Sequence, residues 1–379
     1  MARIYLDARN ITDRPSGVGR YARSLIPALA RQAPQHDYVV IRHQSNREPL
    51  EVFGYELTEV FIDRPIDNLA NFALGAPALR RVFAEHGRPD IYHDLFHVLP
   101  VGLGLGADFR IVVTLHDLVW IDHPHESQPN AVAAESIRAF ARMAIPYALR
   151  RADHVICVSE PTARRARRWL THGQSSTVSH GVSPRFFRPA PPPADLLPEL
   201  VEDDVPYVVA IGNAKPYKNL DRLVDAFERA LDRLDEAHLV LVGDCEGLRD
   251  HIEWANLEDR VTLTGFVDDE ELRQILGGAR LFVFPSLVEG FGLPVLEAMA
   301  MGIPAVVSDL EPMRSVAGEA AIRVDPHHTG QMSEAIVRLM TDDETHADYV
   351  ARGQRRAAEY RWPLTARKTL QVYRRVLTE

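Results

Sequence analysis

Two doubly wound α/β domains are expected from this sequence, on three observations. Short apolar runs alternate with amphipathic segments along nearly the whole chain. The alternation is interrupted by one proline-rich stretch, and 379 residues suit two or three domains, each able to bury its own core.

In the first half, "ARIYLDA" reads as a strand and residues 18–31 as an amphipathic helix. Strands follow at "YVVIRH", "PDIYHDL" and "RIVVTLHD", then a long helix from about residue 130 to 151 and a strand at "HVICVSE". This is the pattern of a parallel sheet covered by helices, and it sets a first domain at residues 1–183. Residues 184–205 lie in "SPRFFRPAPPPADLLPELVEDDVP", which is rich in proline, lacks periodicity and reads as an interdomain linker.

A second alternating series fills residues 206–361: strands "YVVAIG", "HLVLVG", "VTLTG", "LFVFPS" and "PAVVSD", separated by helices at 220–234, 247–255, 269–276 and 293–301. Spacings of about 20 to 30 residues between strands are those of βαβ units. From residue 334 the chain reads as helical, with a break at "RWP" before a last amphipathic helix, about 362–379, that crosses back to the first domain. Two such domains joined by one linker are expected to face a central cleft lined by their strand ends, a geometry suited to two substrates.

Composition narrows the function. Two cysteines, Cys157 and Cys245, are too few for a disulfide framework or a cysteine zinc site. No apolar run reaches the roughly 20 residues of a membrane span, and "MARIYLDARN" enters a strand without a signal-peptide core, so a cytoplasmic protein is expected. Residues 1–183 carry 21 Arg against 19 acidic residues, while residues 184–379 carry 22 basic against 34 acidic. The net charge of −10 argues against nucleic acid as a partner. Lysine occurs only as Lys215, Lys218 and Lys368, two of them within "NAKPYKN".

The most informative segment is "SLVEGFGLPVLEAMAMGIPAVVSD". A strand precedes it, Glu289 sits in the turn, and Glu297 lies on the helix that ends at Gly302. Gly290 and Gly292 let backbone approach a ligand, and the first N–H groups of the helix suit an anion. Two glutamates alone would read as solvated surface charges; their strand–GFG–helix setting argues instead for a ligand site. Lys218, between a strand end and a helix start marked by Asn219, is placed to neutralise an anion.

"GNAKPYKNLDRLVDAF", the Glu289 segment and "LDARNITDRPSGVGRYARSLIPAL" together resemble the retaining glycosyltransferases of family 4, which have the GT-B fold. The likeness extends through "TLHDLVWIDHP", "CVSEPTARRA", "VSHGVSPRFFRP" and "EYRWPLTARKTLQVYRRVL", and so covers nearly the whole chain. It implies that Glu297 binds the ribose hydroxyls of a nucleotide sugar and that Glu289 lies near the donor sugar. The amides of Gly290, Phe291, Gly292 and Leu293 would meet sugar hydroxyls and the diphosphate. The family's usual Arg/Lys pair is represented by Lys218 alone: Asn213 or Tyr217 stands where the arginine is expected, and Lys215 is the candidate substitute or else a solvated loop charge.

The resemblance also turns the loop before Gly17 and Gly19 toward the donor phosphates. Gly17-x-Gly19-x-x-Ala22 superficially satisfies a dinucleotide fingerprint, but ten residues, Asp7 to Ser16, separate it from the strand end, which is too long for that turn. By the same resemblance His116, at the end of "RIVVTLHD", lies near the transferred sugar, with Asp117 orienting the region. No metal set emerges from the sixteen histidines, and there is no D-x-D.

Arg164, Arg165, Arg167 and Arg168 with Trp169 form either a solvated helix face or a surface for an anionic acceptor or membrane. The resulting expectation is a metal-independent, cofactor-free hexosyltransferase that moves a sugar from a GDP- or UDP-linked donor to a glycan or lipid-linked acceptor. It would be cytoplasmic, with peripheral contact at the inner face of a membrane. The likeness to bacterial mannosyltransferases of surface polysaccharides favours mannose. The rival readings are a sugar-nucleotide-binding protein without turnover and an epimerase of the same fold; donor hydrolysis or isomerisation without acceptor separates them.

Overall fold

Apolar runs such as Ile4–Tyr5–Leu6 and Val208–Val209–Ala210 are buried on both faces, so both halves of the chain form all-parallel sheets with helices on each side. The computed structural model describes residues 1–13, 16–50, 52, 54–106, 108–128, 130–170 and 175–378. It divides into a first unit of Met1–Pro124, Ala131–Gly181 and Arg361–Glu379 and a second of His125–Asn130 and Val182–Tyr360.

The chain runs β1 (Arg3–Asp7), α1 (Gly17–Gln32), β2 (Asp37–His43), β3 (Thr58–Ile62), α2 (Leu69–Leu74), α3 (Ala76–His86) and β4 (Ile91–Asp94). Then come β5 (Arg110–Leu115), α4 (Val119–Asp122), α5 (Pro124–Ser127), α6 (Ala131–Arg151), β6 (His154–Cys157), α7 (Glu160–Ala166) and β7 (Ser175–Thr177). The sheet order is β3-β2-β1-β4-β5-β6-β7. Successive strand residues point to opposite faces: Ile4, Leu6, Val40 and Val112 pack on one side with α1, and Tyr5, Val39, Ile41 and Val113 on the other with α3 and α6.

The second unit continues with α8 (Pro198–Glu202), β8 (Tyr207–Asn213), α9 (Leu220–Leu231), β9 (His238–Asp244), α10 (Arg249–Trp254), β10 (Val261–Gly265) and α11 (Asp269–Gly278). It closes with β11 (Leu281–Phe284), α12 (Leu293–Ala300), β12 (Ala305–Ser308), α13 (Met313–Ala317), β13 (Ile322–Val324), α14 (Thr329–Thr341) and α15 (Asp343–Ala357). Its order is β10-β9-β8-β11-β12-β13. The last helix, α16 (Trp362–Thr378), returns to the first unit: Trp362, Ala366, Leu370 and Tyr373, spaced along one helical face, join the core around α1.

Residues 184–205 do not form a free linker. Phe186 is fully buried, Arg185 pairs with Asp269, and Arg273 donates to the Pro189 carbonyl at 2.7 Å. Gly277 packs so closely that a Cβ there would lie 2.8 Å from that of Ala190. The proline-rich stretch is thus laid along α11 as part of the second unit, its carbonyls satisfied by arginine instead of a ladder.

Candidate active site

Strands β8 and β11 are neighbours, but the chain leaves them in opposite directions, toward β9 and toward β12, which opens a crevice at their C-terminal ends. Two turns border it. The turn after β8 holds the 3-10 segment Pro216–Lys218, and the turn after β11 runs through residues 285–292. Leu287 donates its backbone N–H to the Tyr217 carbonyl at 2.8 Å. Asn219, fully buried and left-handed at φ 59°, donates its side-chain amide to the carbonyls of Pro285 at 3.1 Å and Pro326 at 2.8 Å.

These ties bring Lys218 and Glu289 together from 71 residues apart: Nζ lies 2.6 Å from Oε1, and each side chain is only about 15% exposed (14% and 15%). The ammonium is also 5.1 Å and 5.2 Å from the ring centroids of Tyr217 and Phe284, within cation–π range. A partly desolvated cation beside a carboxylate at a strand-end crevice is suited to holding phosphate oxygens.

Gly292 is the N-cap of α12 at φ 94°, a left-handed backbone that favours glycine, and a Cβ there would lie 2.2 Å from Met313 Cε and push that side-chain tip aside. Pro294 has no N–H, and Val295 donates to the Gly292 carbonyl at 3.2 Å, so the first turn presents the amides of Gly292 and Leu293. Phe291 contributes only backbone, since its ring is buried edge-on to Tyr360 at 5.9 Å. Glu297 sits one turn into α12 and is 2% exposed, an unusual burial for a carboxylate.

Asn213 closes β8 and accepts the Lys215 N–H at 3.1 Å, shaping the turn, while the Lys215 side chain stands in solvent. Gly17 and Gly19 occupy the first turn of α1, where Ser16 accepts the Gly19 N–H at 3.0 Å. Gly19 packs against backbone, with a hypothetical Cβ 2.9 Å from the Asn10 carbonyl, so its smallness serves helix–loop contact within the first unit. Arg14 and Pro15 of the preceding loop lie outside the described residues.

In the first unit His116 follows β5 and is buried. Its Nε2–H donates to the Leu95 carbonyl at 2.9 Å, which leaves Nδ1 as the lone-pair nitrogen of a neutral ring. Burial lowers its pKa to about 4, partly offset by that hydrogen bond. Tyr21 packs edge-on at 4.8 Å, and the rings of His180 and His97 lie 5.8 and 6.2 Å away. Asp117 accepts the Val119 N–H at 3.0 Å and so shapes the turn that leads from His116 into α4.

Arg164, Arg165, Arg167 and Arg168 are all exposed, and three of them are paired. Arg165 and Arg168 both reach Asp122, the second at 3.1 Å, Arg167 reaches Glu160 at 3.4 Å, and Trp169 lies under the Arg168 guanidinium at 4.1 Å. No three His, Cys, Asp or Glu side chains converge as a metal-binding group among the described residues. No described helix is long and apolar enough to cross a membrane.

The sequence model for Glycosyltransferase Family 4 matches residues 15–186, and that for Glycosyl transferases group 1 matches residues 197–356. The chain belongs to these glycosyltransferases. Among its relatives is the O-antigen chain mannosyltransferase B of Escherichia coli, 25% identical over 377 residues, covering 95% of this chain and 96% of that protein. Another is a phosphatidyl-myo-inositol mannosyltransferase of Mycobacterium leprae, 30% identical over 222 residues, covering 56% of this chain and 58% of the relative.

Solved structures agree on the GT-B architecture. Sucrose-phosphate synthase from Thermosynechococcus elongatus superposes with a TM-score of 0.81 at 22% identity, covering 100% of both chains. The lipopolysaccharide glycosyltransferase WaaG gives 0.72 at 14% identity, covering 98% of this chain and 99% of WaaG.

In this glycosyltransferase, sequence reasoning passed over the residues that act through others. Asn219 marked a helix start, yet its side chain pins the Lys218 turn to the ends of β11 and β13. His97 and His180 are isolated in sequence, without periodicity or ligand spacing, and only folding sets them around His116.

Proposed function

We propose that this glycosyltransferase is a retaining, metal-independent hexosyltransferase that takes its sugar from a nucleoside diphosphate donor, with GDP-mannose preferred, and passes it to a glycan or lipid-linked acceptor. The Lys218–Glu289 pair at the β8/β11 crevice carries the reading. Lys218 has three N–H donors and can hold Glu289 and phosphate oxygens together. The Gly292 and Leu293 amides face the same anion, and Glu297 can accept two hydrogen bonds from a ribose diol. His116, neutral and with Nδ1 as acceptor, can receive a hydroxyl of the transferred sugar. The mannosyltransferase relatives support mannose; a structural neighbour at 17% identity, Anabaena HepE, is solved in complex with UDP and glucose.

In the reaction, an acceptor oxygen bonds to the anomeric carbon on the face from which the diphosphate departs. The acceptor proton passes to the leaving phosphate oxygen, giving a glycoside of retained configuration and a nucleoside diphosphate. Lys218 and the helix-end amides stabilise the charge that grows on that phosphate.

A thermal-shift panel of UDP-, GDP- and dTDP-sugars identifies the donor; ligand at 100 times its dissociation constant stabilises by about 2.7 kcal/mol. With that donor, proton NMR of the product is expected to show the donor's anomeric configuration, in chelator as in its absence. An inverted product, or activity lost to chelator and restored by Mg²⁺, would overturn the respective part.

A further inference from the structure

The first unit holds a second collection of cations that the donor reading does not use. A cavity of about 490 Å³ opens between α4, α6 and the 3-10 turn Arg167–Trp169. Arg138, Arg142, Arg168 and Trp169 line it with a single carboxylate, Asp122, and with apolar Ile121 and Pro146.

Each cation is there for a local reason. Arg138 and Arg142 are four residues apart on α6 and therefore share a face. Asp122, the last residue of α4, draws Arg168 to 3.1 Å while also holding Arg165, and Arg168 stacks on Trp169. The two α6 arginines repel each other and are poorly compensated. Arg138 meets Glu135 only at 3.4 Å and keeps a buried Nε without a hydrogen bond. Arg142 is exposed and has no hydrogen bond or ion pair among the described residues.

Three guanidinium groups thus face one carboxylate that a fourth arginine already shares. The lining is short of about two negative charges, the charge of a phosphomonoester or diphosphate at neutral pH. A guanidinium fork pairs with two oxygens of a carboxylate or a phosphate alike, but only a phosphate or diphosphate carries enough oxygens to engage more than one fork. Trp169 adds a flat apolar wall with one N–H donor, suited to the portion of a ligand that carries the phosphate.

We propose that this cavity is a phosphate-binding site of the first unit, taking the phosphomonoester or diphosphate group of a ligand other than the donor. It stands on residues of the first unit alone, whereas the Lys218 site is built from the second, so either assignment can fail without the other.

Inorganic pyrophosphate, followed by titration calorimetry, tests it. The native protein is expected to show two classes of site. Arg138→Gln with Arg142→Gln should weaken one at least tenfold, and Lys218→Ala should weaken the other. Arg142→Gln alone breaks no hydrogen bond or ion pair, so its unfolding midpoint should stay unchanged, and it should weaken the first class at least threefold; Arg142→Lys should recover part of that loss. Native-like pyrophosphate titration by the arginine variants, with an unchanged unfolding midpoint, would overturn the site. Cosedimentation with phosphatidylcholine vesicles containing phosphatidic acid identifies the source. Vesicle binding lost in the double variant marks a lipid headgroup, and pyrophosphate binding without vesicle binding marks a soluble phosphorylated ligand.

Discussion

Replacing Lys218 by alanine is the most direct perturbation of the proposed chemistry. The Lys218 side chain is 14% exposed, so its field on a neighbouring phosphate is weakly screened. At an effective dielectric of about 20, a full charge developing some 4 Å away is stabilised by about 4 kcal/mol, and half a charge by about 2 kcal/mol. That corresponds to a loss in kcat of roughly 30- to 1000-fold. The substitution also strips Glu289 of its 2.6 Å partner, which should cost about 1–3 kcal/mol of stability.

The two effects separate in a cycle with Glu289→Gln. The double variant removes the stranded carboxylate charge, so its unfolding midpoint should recover while kcat, measured at saturating donor, stays low. Retained kcat with only a raised KM would make Lys218 a ground-state binder. Recovery of kcat in the double variant would trace the defect to the stray carboxylate; either result refutes the electrostatic argument.

Glu297→Gln, nearly isosteric for a residue 2% exposed, should weaken binding of the bare nucleoside diphosphate by about 10- to 150-fold, through loss of about 1.5–3 kcal/mol of charge-assisted hydrogen bonding; unchanged affinity in calorimetry removes the ribose role. Gly292→Ala should destabilise by about 1–3 kcal/mol in urea unfolding. Met313→Ala in that background should restore only part, because it relieves the 2.2 Å clash but not the strain at φ 94°; full restoration would show the backbone to be unstrained. Acid should destabilise the fold. His116 with a folded pKa of about 4, against about 6.5 unfolded, binds fewer protons when folded. Its stability contribution is complete above about pH 6.5 and is lost as pH falls toward 4, by roughly 3 kcal/mol. His93, held at about 3, and the further-lowered His97 and His180 act in the same direction. Asp94, raised to about 7 by burial and by Asp7, acts in the opposite one. Calorimetric melts from pH 7 to 4.5 should show a falling midpoint, with a shallower fall in His116→Asn; a flat profile would mean these rings are not held neutral by the fold.

Elements buried on both faces were legible from the order of residues alone. Central strands such as Ile4–Tyr5–Leu6 and Phe282–Val283–Phe284 must be continuously apolar to sit between helices, and that run is visible without coordinates. The three strands left unread, β3, β7 and β13, are edge strands of three to five residues: β7 and β13 carry no such run, and Val60–Phe61–Ile62 of β3 is only half-buried. The "GFG" turn with its helix start was legible for a similar local reason, since a left-handed glycine and an uncapped first turn are properties of a few adjacent residues. What lay beyond the sequence was pairing. Lys218 and Glu289 are 71 residues apart, Arg142 and Arg168 meet in one cavity from different helices, and His97, His116 and His180 come from three separate loops. Linear spacing holds no record of such meetings, because the turns that carry them are positioned by strand order, and strand order is decided by how the whole sheet buries its two faces.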